Sequence, residues 1–444
     1  MRRCGILALI FLTVACNRYP SETQKDFFKW ADKGKIIELS CKGITINQYY
    51  LYLPSNYSLN TKYSLLFCFD PHADGNLAIS LFKNYAEKRG MIVVASATLQ
   101  NGLSPQEISL LLTQLYEDVV QKVLVDTTRI YAAGFSGGAR VAEMFSEIVP
   151  SLAGLICCSA GYTPENRCTN AVLMAGTEDM NYLEVKLANQ KLENQSCHHC
   201  FILFDGKHQW PPAKMLEKAM DILQIWKENK SSFAKNNEMK KQLLTEQDRI
   251  IKLASESASD SLLAAYNEAK IFIDTYNNIA DISKIQNLYN ELLHNPVILT
   301  NIKEISETDS FEMEQQSIIQ NSIGTQPLEW WKNEIDFLNK ISSNSKGSGK
   351  ARAAERVKAY ISLISFSYAY RSVHQHDWKT AEYILNIYGM ADPQNPDYHY
   401  LRACWYANTN HIPMAKDELN KAIQLGADKN KAKADPLLYN LNNN

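Results

Sequence analysis

The sequence predicts an α/β fold, a mostly parallel sheet with helices on both faces, followed by an all-α region. Three observations carry that expectation. From residue 35 to about residue 229, apolar strand-like runs alternate with helical ones. Several of those strands, YSLLFCF at 63–69 among them, are apolar without alternation, the mark of burial on both faces under βα crossovers. Around Ser231 the character changes: glycine nearly vanishes until Gly324 and strand signals stop. A chain of 444 residues is too long for one ordinary domain. With 45% hydrophobic and 21% charged residues it has the composition of a globular protein with real cores. A net charge of −2 argues against a nucleic-acid partner.

The elements follow in order. Met1-Arg2-Arg3 is a basic start and residues 5–14 are apolar but too short to span a bilayer, so residues 1–15 read as a signal peptide. Thr13-Val14-Ala15-Cys16 resembles a bacterial lipobox. That resemblance implies lipidation of Cys16 and an anchored protein at the cell envelope, on an unspecified membrane face. The alternative is a plain secretory signal cleaved nearby. Acyl chains contribute about 0.8 kcal/mol per buried methylene to such an anchor. Residues 16–34 read as a tether. Residues 36–41 and 48–53 are amphipathic strands of a starting hairpin. The strand at 63–69 runs into Asp70-Pro71-His72-Ala73-Asp74-Gly75, a helix follows over 77–89 and Gly90 stops it. A strand covers 91–97. Ser104-Pro105 opens a long helix to about Val123, with Glu107 placed for a capping box. Strands over 152–159, 171–175 and 200–204 and a closing helix over 212–230 complete a domain at 35–230.

Residues 231–444 read as a helical domain, with helices over 239–256, 261–276 and 282–293 and a flexible break at 342–349. Ala369, Ala381, Leu385 and Tyr388 recur 34 residues later as Ala403, Ala415, Leu419 and Ala422. A helix-turn-helix of that period, with small residues where helices cross, resembles the tetratricopeptide repeat over about 361–427. The resemblance implies a surface for a protein partner or for positioning substrate.

The stretch that concentrates chemistry is TRIYAAGFSGGARVA, residues 128–142. It reads as a buried strand at 130–133, the turn Gly134-Phe135-Ser136-Gly137-Gly138, and a helix opening at Ala139. A nucleophilic serine on a sharp strand-to-helix turn needs neighbours without side chains, which Gly134 and Gly138 provide. The Gly137 amide then sits at a helix N-terminus, where developing negative charge is favoured. The bland alternative is a glycine-rich turn capped by Ser136.

A serine nucleophile needs a base, and the base needs an acid to fix its tautomer. Two strand ends downstream offer them. Residues 171–175 end in Gly176-Thr177-Glu178-Asp179, and residues 200–204 end in Asp205-Gly206-Lys207-His208-Gln209-Trp210-Pro211. The order Ser136, Asp179, His208 is that of α/β-hydrolases. Together with residues 131–140, GTED and GKHQWP, it resembles an α/β-hydrolase esterase of the polyhydroxyalkanoate-depolymerase and feruloyl-esterase type, over about residues 35–229. The resemblance implies Ser136 as nucleophile, His208 as general base and then acid, and Asp179 as orienting carboxylate, with Glu178 a rival and Asp205 a weaker one. The oxyanion hole takes the Gly137 amide and a second from the loop after residue 69. Pro71 has no N–H, which leaves His72, with Ala73 behind it.

Cys68, Cys157 and Cys158 read as core residues, while Cys168, Cys197 and Cys200 look loop-borne and able to form a bridge. His198 and His199 lie between the last two, but one C-x-x-C with adjacent histidines is not a finished zinc site. No cofactor and no metal are expected. The leading reading is an exported serine esterase, its ester substrate borne by a polysaccharide in the family analogy. The alternatives are a serine peptidase of the same fold and an envelope scaffold whose repeats bind a partner while the hydrolase domain is secondary or inert.

Overall fold

The computed structural model describes residues 20–43, 46–256, 258–344 and 347–442. The signal segment and Cys16 lie outside these residues. The described chain begins with helix α1 (Glu22–Trp30), opened by a capping box between Ser21 and Gln24. Gln24 Nε2 also donates to Val123 O at 3.1 Å, and Phe27 and Ala31 are buried. The stretch expected as a tether at 16–34 is therefore, in its described part, largely a docked helix. Its apolar residues four apart share one face, and that face has a place to go.

β1 (Ile36–Ser40) and β2 (Gln48–Tyr52) pair antiparallel, as the hairpin pattern predicts. β3 (Tyr63–Phe69), α2 (Gly75–Arg89), β4 (Met91–Ser96), α3 (Pro105–Lys122), β5 (Val125–Phe135), α4 (Gly137–Ile148) and β6 (Leu152–Cys158) follow. Then come β7 (Ala171–Gly176), α5 (Tyr182–Leu192), β8 (His199–Phe204) and α6 (Ala213–Trp226). The eight strands form one sheet in the order β1-β2-β4-β3-β5-β6-β7-β8. β2 meets β4 antiparallel, while β3 is parallel to both β4 and β5, and β7 is parallel to β8. β4 and β7 are buried at every residue, which is why they carry no polar alternation. α3 opens on the expected capping box, Ser104 with Glu107. The chain forms two compact units that divide inside β6, between Leu155 and Ile156.

Helices fill the rest: α7 (Lys230–Lys235), α8 (Asn237–Ser255), α9 (Ser259–Tyr276), α10 (Ser283–Leu292), α11 (Pro296–Ser322), α12 (Leu328–Asn344) and α13 (Gly349–His374). After them come α14 (Trp378–Ala391), α15 (Pro396–Asn408), α16 (Ile412–Gln424) and the short α17 (Lys429–Ala434) and α18 (Tyr439–Asn442). The change of composition at Ser231 is not a gap in packing. β8 and α6 both lie against α9. Lys218 of α6 and Arg249 of α8 share Glu268 of α9 at 2.6 and 2.8 Å, and Trp226 Nε1 donates to Asp274 O at 3.2 Å. The last strand and helix of the sheet region thus belong to the same unit as the helices after them.

α13 packs on α14 and α15 on α16, forming two helical hairpins. Ala369, Ala381, Ala403 and Ala415 are fully buried, so the positions 34 apart let helices approach closely. The first hairpin departs from a simple repeat: α13 has 26 residues against 13 in α15. No proline interrupts it, and it also packs on α11 and α12.

Candidate active site

Ser136 is the single residue between β5 and α4, at φ 52° and ψ −120°. A side-chain-bearing residue in that region of backbone space costs on the order of 1–3 kcal/mol, so the surrounding contacts must hold it there. A Cβ on Gly134 would lie 2.1 Å from Gly138 O, and one on Gly138 would lie 2.0 Å from Phe69 O. The turn closes on itself and on the end of β3, and both glycines are required, as the motif predicts. The Ser136 side chain makes no capping bond to α4. That removes the bland alternative of a capping serine. The Gly137 amide opens a helix of 12 residues and carries the positive end of its dipole.

The loop after β3 is organised by Asp70, which is buried. Asp70 Oδ1 accepts from the His72 amide at 2.8 Å and from the Asp74 amide at 3.4 Å. The Ala73 amide donates to Asp70 O at 3.1 Å, with Ala73 itself at φ 59°. The two amides expected as the second oxyanion donor, His72 first and Ala73 behind it, are therefore engaged by Asp70. That expectation is corrected: a carboxylate one residue before Pro71 folds the loop back onto its own N–H groups.

A residue that no sequence motif marks lies here instead. Asn101 follows β4, its amide donates to Pro71 O at 2.8 Å, and its side chain rests on Gly137. A Cβ on Gly137 would lie 1.8 Å from Asn101 Oδ1 and 3.3 Å from Nδ2. A Cβ at position 137 would push that carboxamide from its place. A half-turn of the amide exchanges its oxygen and NH2 ends. Asn101-Gly102 reads as an ordinary turn, and nothing local marks it for chemistry.

In the second unit, His208 Nδ1 and Asp179 Oδ1 are 2.8 Å apart. The Asp179 side chain is fully buried, while that of His208 keeps 21% of its surface. The carboxylate at the imidazole is that of Asp179, not of its rivals. Glu178 uses its amide on Gly206 O at 2.9 Å, and Asp205 Oδ1 accepts from Thr177 Oγ1 at 3.2 Å. The two turns are laced together beyond the β7–β8 ladder. Thr177 N donates to Phe204 O at 2.8 Å, and a Cβ on Gly176 would lie 2.3 Å from Gly206 O. Asn181 braces the acid, its amide donating to Asp179 Oδ1 at 2.9 Å and its side chain to Ser159 O at 2.8 Å. A buried carboxylate on Nδ1 fixes the tautomer that leaves Nε2 as proton acceptor and favours the imidazolium once formed. Ser136, Gly137, His72 and Asn101 belong to the first unit, Asp179 and His208 to the second.

The cysteine-histidine run disperses. Cys197 is bridged to Cys168, whereas Cys200 is a buried strand residue with a free thiol. Of the two places the sequence offers Cys200, a loop and the start of the strand at 200–204, the structure takes the strand, one residue into β8 and in the core. His198 stacks on Trp226 and His199 Nδ1 lies 3.0 Å from Asn189 Oδ1. Burial holds both imidazoles below the usual histidine range, with Lys270 adding to the effect at His199. Among the described residues no group of three or more His, Cys, Asp or Glu is arranged to hold a metal ion.

Comparison with protein families and with curated proteins finds no match. Solved structures that resemble the chain include a thermostable esterase, at 15% identity and a TM-score of 0.36 over 43% of this chain and 62% of its own. The S-formylglutathione hydrolase FrmB from Staphylococcus aureus is similar at 13% identity and a TM-score of 0.37, over 44% of this chain and 96% of its own. A ferulic acid esterase gives 14% identity and a TM-score of 0.37, over 44% and 98%. The chain thus spans less than two thirds of the first of these. At such scores nothing about activity follows.

Proposed function

We propose that this protein is a serine hydrolase acting on carboxylic esters. Ser136 Oγ attacks the ester carbonyl while His208 Nε2 takes its proton. The tetrahedral intermediate collapses as His208 returns that proton to the departing alcohol, leaving an acyl ester on Ser136. Water then attacks the acyl carbon, gives its proton to His208, and the acid is released as Ser136 recovers its proton. Asp179 orients the imidazole and stabilises its cationic form. The oxyanion is held by the Gly137 amide and, in place of His72, by Asn101 Nδ2. The observation that carries this reading is the left-handed, uncapped Ser136 between two glycines that admit no side chain.

The reading extends to an exported enzyme anchored through Cys16, whose tetratricopeptide-like hairpins position a protein partner or a polysaccharide-borne ester. The test is turnover of p-nitrophenyl acetate and butyrate, with fluorophosphonate labelling located by mass spectrometry. Wild type labels on Ser136, and Ser136→Ala neither labels nor turns over. Wild type inert toward a panel of short esters and toward the probe would end the esterase assignment.

A further inference from the structure

Arg356 is on α13 and only 4% exposed. Its Nε and Nη2 both bond Glu312 Oε2 on α11, at 2.9 and 2.5 Å, and Glu312 is fully buried. Its Nη1 points elsewhere and donates to Thr177 O at 2.7 Å. The guanidinium also lies over Tyr182, 4.3 Å from the ring centroid. Thr177 and Tyr182 bracket the turn that carries Asp179. A second ion pair, Lys186 of α5 with Asp309 of α11, fastens the helix that leaves this turn.

A buried guanidinium–carboxylate pair is a poor source of stability, because desolvating both ions offsets most of their attraction. Its value here is geometric. The planar fork engages Glu312 with two N–H groups and keeps a third directed at one backbone carbonyl, which a lysine ammonium cannot do with the same rigidity. The carbonyl so held is two residues from the carboxylate that meets His208.

We infer that Arg356, fixed by Glu312, is a positioning residue that clamps the acid turn at Thr177 and so keeps Asp179 on Nδ1 of His208. The helical region then completes the catalytic apparatus and is not a detachable accessory. The catalytic consequence rests on the esterase reading; the clamp itself does not.

The test uses the full chain with Glu312→Leu and Arg356→Met made together, which removes both charges and leaves neither buried alone. The double variant is expected to fold with wild-type circular dichroism. Its kcat toward p-nitrophenyl butyrate falls about 10- to 100-fold with KM unchanged, the size of a small misplacement of a catalytic group. The downfield proton resonance of His208 Nδ1–H, assigned by its loss in Asp179→Asn, weakens or disappears. A folded double variant with wild-type kcat and an unaltered resonance overturns the inference. Should the double variant not fold, Arg356→Lys keeps the charge beside Glu312, withdraws the fork from Thr177 and carries the same two readouts. A wild type that neither hydrolyses esters nor labels on Ser136 sinks the esterase reading alone, and the resonance then decides the clamp.

Discussion

Asp179 Oδ1 takes the imidazole and the Asn181 amide, while Oδ2 is buried without a hydrogen-bond partner among the described residues. A carboxylate in that setting is costly to the fold. Asp179→Asn should keep the fold and lower kcat by about 10,000-fold, since an amide favours the wrong tautomer; single-turnover kinetics at neutral pH checks it. Asn101→Ala should lower kcat by roughly 100- to 1,000-fold with KM little changed, the usual cost of losing one oxyanion donor. A larger KM with kcat intact would make Asn101 a substrate contact instead. Gly138→Ala places a Cβ against Phe69 O, a backbone atom that cannot swing aside. It should cost about 3 kcal/mol or more in urea unfolding and abolish labelling of Ser136. Ser136, Asp179 and His208 were legible as residues because a glycine-walled turn and two strand ends announce them. Asn101 was not, because loop-to-loop contacts bring it to Gly137, its own with Pro71 and the bridge between Gln100 and His72.

The elements are legible in the sequence where periodicity and caps agree. The strand at 63–69 and the start of α3 fall where the pattern places them. β5 runs over 11 residues where the apolar pattern signals a strand at 130–133, since its first five residues are mostly polar and partly exposed. The bridge Cys168–Cys197 closes a loop of sequence separation 29 that holds β7 and α5. In the chain-entropy account a loop of that length contributes about 3–4 kcal/mol, so Cys168→Ser with Cys197→Ser should lower stability by roughly that amount. Peptide mapping without reductant should join Cys168 to Cys197 and leave Cys200 as a thiol. Burial pushes the Cys200, Cys68 and Cys404 thiols up from their ordinary range, so native protein should react with thiol reagents at none of the three. In the helical hairpins, Ala415→Leu overpacks a fully buried crossing and should cost about 1–3 kcal/mol, read as a lower Tm.

At the scale of the molecule, composition places a boundary near Ser231, yet Trp226, β8 and α6 are covered by α9. A fragment ending at residue 230 would expose the apolar face of α6, with Ile222, Ile225 and Trp226, to water. Expressed alone, residues 20–230 should aggregate or lack a cooperative melt, while the full chain remains soluble and folded. A soluble, cooperatively unfolding, active fragment would show that α9 only decorates the sheet region. What the sequence by itself determined were devices completed within a few residues: continuous apolar strands, the Ser104–Glu107 cap, the glycine walls of Ser136 and the side-chain periodicity of the helices. Backbone sterics and side-chain periodicity set these, and both are local. Only the tertiary structure decided that Asn101 covers Gly137, that Cys197 finds Cys168, and that Arg356 reaches the carbonyl of Thr177 across a sequence separation of 179. Such meetings depend on which surfaces pack and in what register, and no run of neighbouring residues encodes that.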